Sequence, residues 1–177
     1  MNASAVYCTY CSWGKDPAPG LLPAKARYTS GRIDSVRRLA SERKVGLRIL
    51  SGEFCLLHPE EPVPFYDHLL KVDEVAALSA KIASQLREQR IHKLVYFTKP
   101  AEDNPSIRPY LATIQRACDR AGVTLEVRHL DVGENMPDFR RIMAEAEQRK
   151  AKMLTDQTAG EQSFLELIDP ELCTYQR

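Results

Sequence analysis

Long apolar runs are missing from this 177-residue chain: none approaches the ~20 residues that a helix needs to cross a bilayer. The opening residues, Met1 to Tyr10, hold no basic segment followed by an apolar one, so neither a signal peptide nor a transit peptide is expected and the protein should stay in the cytoplasm. An excess of one charge is missing too. Lys and Arg number 25 against 24 Asp and Glu, for a net charge of +1, which argues against the broad positive footprint of a non-specific nucleic-acid binder. Arg32, Arg37, Arg38, Arg43, Lys44 and Arg48 do give the first third a local basic bias, which reads as a solvated helix face. The five cysteines are an odd number without a secretory signal, which fits free thiols rather than a disulfide framework. Cys8 and Cys11 form the one close pair; there is no second CxxC and no HxxxH to complete a zinc site. A redox CxxC would open a helix, whereas Trp13-Gly14-Lys15-Asp16-Pro17 reads as a loop. Neither metal nor cofactor is expected.

Hydrophobic residues at 44% and charged ones at 28% are enough to build one ordinary core, and the length suits one domain. Ala5 to Cys11 is short, β-branched and aromatic, and predicts a first strand. A loop with Gly14, Pro17, Pro19, Gly20 and Pro23 follows. Helical spacing then runs from Ser30, as N-cap, to about Lys44, with Ile33, Val36, Leu39 and Ala40 on one face and Gly46 as the stop. Leu47 to Leu50 reads as a second strand. Ser51 to Lys71, with three prolines and two histidines, has neither period and predicts a long functional loop. Asp73 is placed as the N-cap of a helix to about Gln89, Lys93 to Thr98 as a strand, Ser106 to Ala121 as a helix closed by Gly122, and Val123 to Val127 as a strand. A last helix is expected from about Pro137 to Met153, then a linker and a docking segment Phe164 to Ile168. The alternation predicts an α/β fold with a mainly parallel sheet of four to five strands flanked by helices, Rossmann-like in its winding. Residues 1–154 would form this domain and 155–177 a tail docked on it.

Ligands of such sheets bind beyond the carboxyl ends of the strands. Two loops qualify. In the first, Ser12 and Lys15 set a hydroxyl, a glycine and an ammonium after a strand, a combination suited to an anion, although the GK[ST] ending of a phosphate-binding P-loop is lacking. In the second, Ser51-Gly52-Glu53 directly follows a strand: glycine there would let the backbone approach a ligand, and Ser51 would donate a hydrogen bond. Ser51 is not in the GxSxG context of a nucleophile elbow. Tyr66 and Asp67 add an aromatic face and a carboxylate, or else the proline loop is a cover and Asp67 caps a turn. Of the four histidines, His68 stands out for its neighbours.

The segment Ile49 to Pro59, ILSGEFCLLHP, followed by Tyr66-Asp67, resembles the ILSxx[YF]GLLxP and YD pattern of an uncharacterised bacterial and phage family, and is similar to a motif of the peroxide-stress YaaA family. Upstream, Cys11-Ser12 with Lys15 resembles the CSxxK opening, and Pro23-Ala24 with Tyr28 the PAxxLY element. The likeness spans roughly residues 8 to 70; Cys55 stands where the pattern has glycine, and Glu53 where many relatives have lysine. It implies a fold like that of uracil-DNA glycosylases, and a nucleobase, nucleoside, nucleotide or nucleic acid as ligand. Two functions follow as expectations. One is an enzyme, a hydrolase of N-glycosidic bonds, in which Asp67 and Ser51 are catalytic while Ser12, Lys15, Tyr28 and Tyr66 hold substrate. The other is a non-catalytic module binding a nucleotide or a protein through the same loops.

Overall fold

A computed structural model describes residues 5–102 and 104–130. Within them a five-stranded sheet carries helices on both faces. The chain runs β1 (Ala5–Tyr10), β2 (Leu22–Pro23), α1 (Ala24–Arg27), α2 (Gly31–Arg43), β3 (Gly46–Ser51), β4 (Cys55–Leu57), β5 (Pro62–Val63), α3 (Val75–Glu88), β6 (Lys93–Thr98), α4 (Arg108–Ala121) and β7 (Thr124–His129). The sheet order is β4-β3-β1-β6-β7, with β1, β3, β6 and β7 parallel and β4 antiparallel at the edge. The α/β class with a mainly parallel sheet is therefore as expected, and the four strands near Val6, Ile49, Val95 and Leu125 are neighbours. The expected helix from Pro137, the linker and the docking tail lie outside the described residues.

Period-2 alternation assigns the strands to their two layers. Val6, Cys8 and Tyr10 of β1, with Leu94 and Tyr96 of β6, pack with Leu78, Ile82 and Leu86 of α3 and Ile114, Ala117 and Cys118 of α4. Tyr7, Val95 and Phe97 point the other way, onto Val36 and Ala40 of α2. Strands buried on both faces read as continuous apolar runs, which is why Lys93 to Thr98 was legible as a strand.

Some boundaries differ from the sequence reading. Helix α2 turns on Lys44, in the left-handed region at φ 53°, so that Val45 N–H reaches Ala40 C=O at 3.0 Å; Gly46 is the first residue of β3. Ser30 holds the N-cap position but its hydroxyl makes no capping bond. Asp73 sits inside a 3-10 turn, Val72–Glu74, and it is Glu74 that accepts the Lys71 N–H, at 2.8 Å. The loop expected to lack regular structure over Ser51 to Lys71 contains two strands. β4 folds back on β3 (Ser51↔Cys55), and β5 pairs with β2 (Leu22↔Val63) in a small second sheet.

The β3–β4 reversal puts Cys55 at φ 63°, in the conformation that favours glycine. A Cβ there is strained by ~1–2 kcal/mol, offset by the greater chain entropy of unfolded glycine. Cys55→Gly should therefore raise stability by about 0.5–1 kcal/mol in urea unfolding; a loss of stability would mean that the Cys55 thiol packing outweighs the strain.

Candidate functional site

In the strand order, β3 and β6 lie on opposite sides of β1, and the chain leaves β1 for α2 on one face and β6 for α4 on the other. The departing loops diverge and leave a crevice beyond the carboxyl ends of β1 and β6, the switch point of a doubly wound sheet. It has a volume of about 460 Å³, within the range of small-molecule sites. Tyr10 to Trp13 and Lys15 line it from β1, Ser30 to Arg32 from the start of α2, and Lys99, Asn104 and Ser106 from the far side of β6.

Three cations, Lys15, Arg32 and Lys99, face this space, and among the described residues lining it there is no carboxylate. Arg32 is the deepest, 4% exposed. Its guanidinium donates to Thr9 Oγ1, to Tyr10 C=O at 2.7 Å and to Cys11 C=O at 3.2 Å, and stacks on the Tyr10 ring with its carbon 3.4 Å from the centroid. Burial pushes its pKa down, opposed by the neighbouring Tyr10, Tyr96 and Cys11. All its partners are neutral. Lys15 is half-buried, its Nζ 4.5 Å from the centre of the Tyr66 ring. Desolvation lowers the ammonium pKa, while Cys11 and the carboxylate of Asp67 act in the opposite direction. His68 closes the crevice with Glu74 Oε2 3.2 Å from its Nε2 and Glu53 Oε2 3.8 Å from its Nδ1. Trp13 stands at the lip, 60% exposed.

Behind Lys15 lies a second cluster. Tyr28 and Tyr66 share a hydrogen bond of 2.7 Å, and Ser51 Oγ is 3.2 Å from the first hydroxyl and 3.0 Å from the second. Ser51 Oγ also accepts the backbone N–H groups of Glu53 and Phe54, at 3.2 and 3.1 Å, which ties down the β3–β4 turn. Burial pushes the Tyr28 phenol up to about 12 and that of Tyr66 higher still, so the network is neutral at physiological pH. Ser51 is fully buried, and among the described residues no histidine or carboxylate is bonded to its hydroxyl.

The sequence placed six site residues, and the structure divides them. Ser12 and Lys15 line the crevice. Tyr28, Ser51 and Tyr66 join one another in the hydroxyl cluster, which meets the crevice through Lys15. Asp67 is exposed and outside the lining, close enough to act on the charge of Lys15. The division has a topological cause. Ser51 ends β3, on the side of β1 away from β6, whereas the crevice opens between β1 and β6. The close approach allowed by Gly52 is also to the chain itself: a Cβ there would stand 3.0 Å from Leu70 Cβ and 3.3 Å from Tyr110 Oη.

Arg32 was missed. Read as part of a solvated face, it instead lies with Val36 and Ala40 on the buried stripe of α2. The spacing 32, 36, 40 was the available signal, because positions four apart share a helix face. Lys99 carries no such signal, since one strand must be placed beside another before its end becomes part of a site.

Cys8, Cys11, Cys55 and Cys118 are free thiols, and among the described residues no helix is long and apolar enough to cross a membrane. No family model, curated protein or solved structure matches the chain.

Proposed function

We propose that the chain binds a nucleoside or nucleotide in the crevice beyond β1 and β6. The observation that carries this reading is the combination at the switch point: Lys15, Arg32 and Lys99 on the walls with the exposed indole of Trp13 at the lip. Cations suit a phosphate, and a free aromatic face suits the flat surface of a base, where stacking is worth ~1–3 kcal/mol. The motif resemblance over residues 8 to 70 points to the same ligand class. Trp13 is also the only tryptophan in the sequence, so its fluorescence reports on the lip directly. Titration with a panel of nucleosides and nucleotides should quench it and raise the thermal midpoint, because a ligand of the folded state stabilises that state. If no member of the panel does either, the reading falls.

A second reading, hydrolysis of an N-glycosidic bond, is favoured by one observation. The carboxylate of Asp67 lies near enough to Lys15, a residue of the crevice wall, to influence its charge. Asp67 would then steady positive charge developing on the ribose, with Tyr28, Ser51 and Tyr66 holding Lys15 and the adjoining wall in place. Asp67 is exposed and unpaired among the described residues, so Asp67→Asn should change stability by less than about 0.5 kcal/mol. Free base released from the nucleoside panel, followed by chromatography, should vanish in the variant. Unchanged release would remove Asp67 from the reaction.

A further inference from the structure

We infer that the crevice is selective for a phosphomonoester, seated against Arg32, Lys15 and Lys99 over the first turn of α2, so that the ligand is a nucleoside monophosphate rather than a nucleoside. This rests on the binding reading above and adds the class of ligand. The argument begins with Arg32. A guanidinium has five N–H donors, and the described protein groups take two from Nη1 and one from Nη2. Nε–H and one N–H of Nη2 have no protein partner among the described residues. A buried charge held only by neutral groups is expensive, and buried charges are ordinarily paired. Here no ion pair involving Arg32 is present among the described residues, and the side chain lines an open crevice.

Two further features converge on the same space. Lys15 and Lys99 bring the lining to three positive side chains without a carboxylate, a match for a dianion rather than a single negative charge. The 13-residue helix α2 also begins at the crevice. Ser30 and Gly31 line it, the Ser30 hydroxyl makes no capping bond, and glycine at the first helical position puts no side chain in the way. The uncapped first turn and its dipole therefore act beside the cations. Asn104 and Ser106 offer neutral polar groups on the far wall. Loop order matters as well. Arg32 fastens the carboxyl end of β1 through Tyr10 and Cys11, so the segment leading to Ser12 and Lys15 is held before a ligand arrives, which lowers the ordering needed on binding.

The experiment titrates the full chain with a purine and a pyrimidine nucleoside, their 5′-monophosphates and inorganic phosphate, following Trp13 fluorescence and the thermal midpoint. The monophosphates should bind about 100-fold more tightly than the nucleosides, as two or three charge-assisted hydrogen bonds would give, and salt should weaken that advantage. Lys99→Ala should cut the monophosphate affinity about 10-fold and the nucleoside affinity by less, so that the preference for the monophosphate narrows. Arg32→Lys, which keeps the charge but loses the planar donors, should abolish the preference for the monophosphate. If that variant fails to fold, Lys15→Gln joins Lys99→Ala as the test. Equal binding of nucleosides and monophosphates overturns this inference and leaves the nucleoside reading standing. Binding of inorganic phosphate with no gain from an attached nucleoside supports the anion seat and overturns the nucleoside reading. Binding of nothing overturns both, and an unaltered monophosphate affinity in Lys99→Ala and Lys15→Gln overturns the residues assigned.

Discussion

Replacing Arg27 with methionine should lower stability by about 3 kcal/mol and weaken ligand binding with it. Arg27 is fully buried at the end of α1, yet its neighbours are backbone oxygens rather than carboxylates. Nε donates to Val63 C=O at 3.2 Å, Nη1 to the carbonyls of Asp16 and of Ala18, the latter at 3.0 Å, and Nη2 to Gly20 C=O at 2.7 Å. One side chain thus satisfies four carbonyls of segments that have little ladder of their own. Among the described residues, the ladder of the Asp16 to Pro23 loop consists of the two-residue pairing of β2 with β5 and the bridge between Lys15 and Tyr28, beside which Asp16 N–H reaches Arg27 C=O at 2.8 Å. Methionine keeps most of the volume but has no donor. Each buried acceptor left without a partner forfeits ~1–3 kcal/mol, and water reaching the outer ones reduces the total. For a chain of this size ~3 kcal/mol corresponds to a fall in Tm of about 6–12 °C. Because the same loop carries Lys15 into the crevice, quenching of Trp13 by any ligand should weaken as well. A loss below about 1 kcal/mol in urea unfolding would show that the guanidinium is not what holds this loop.

Gly52→Ala should have the second largest effect, a loss of about 1–3 kcal/mol, as expected for overpacking a closed site. The added methyl would meet Leu70 Cβ at 3.0 Å, Leu70 N at 3.3 Å and Tyr110 Oη at 3.3 Å. A backbone nitrogen cannot swing away as a long side chain can. Tyr110 is itself committed, with its hydroxyl 3.4 Å from Leu70 N and 3.7 Å from Cys11 Sγ. Any yielding therefore moves Tyr110 and the Leu69-Leu70 backbone, and Tyr110 and Leu69 line the crevice. Ligand affinity should fall in proportion to the displacement. Gly46→Ala is the matched control. Its Cβ would make ordinary contact with Val6 at 3.7 Å, and the change should be neutral or slightly stabilising. If both alanine variants were equally stable, the close approach at Gly52 would not be the reason for glycine there.

How much of this could be read from the residues varies from element to element. Lys93 to Thr98 was legible because Leu94 to Phe97, buried on both faces, form a continuous apolar run, and Ser106 to Gly122 because a 3.6-residue period ends on a glycine. The class of fold followed from strands alternating with helices. That Ser12 and Lys15 follow a strand was legible because strand, hydroxyl and ammonium are close in sequence. Against these, β4 and β5 were not legible. Cys55 to Leu57 is three residues long, and Pro62-Val63 only two; pairing partners define them rather than any period of their own.

The sequence by itself determined the α/β class, the positions of the main strands and helices, and the chemistry available in the loops after β1 and β3. Those depend on local propensity and on which face each residue presents, both properties of short stretches of chain. The tertiary structure alone decided which polar groups meet. Strand order put β6 rather than β3 across the crevice from Ser12, so Lys99 became its neighbour while Ser51 went to a buried turn with Tyr28 and Tyr66. It also turned Arg32 inward, to a place where neutral oxygens hold part of its guanidinium and the rest faces open space. Burial and order across a sheet are set by contacts between residues far apart in the chain, and no window of sequence contains both partners.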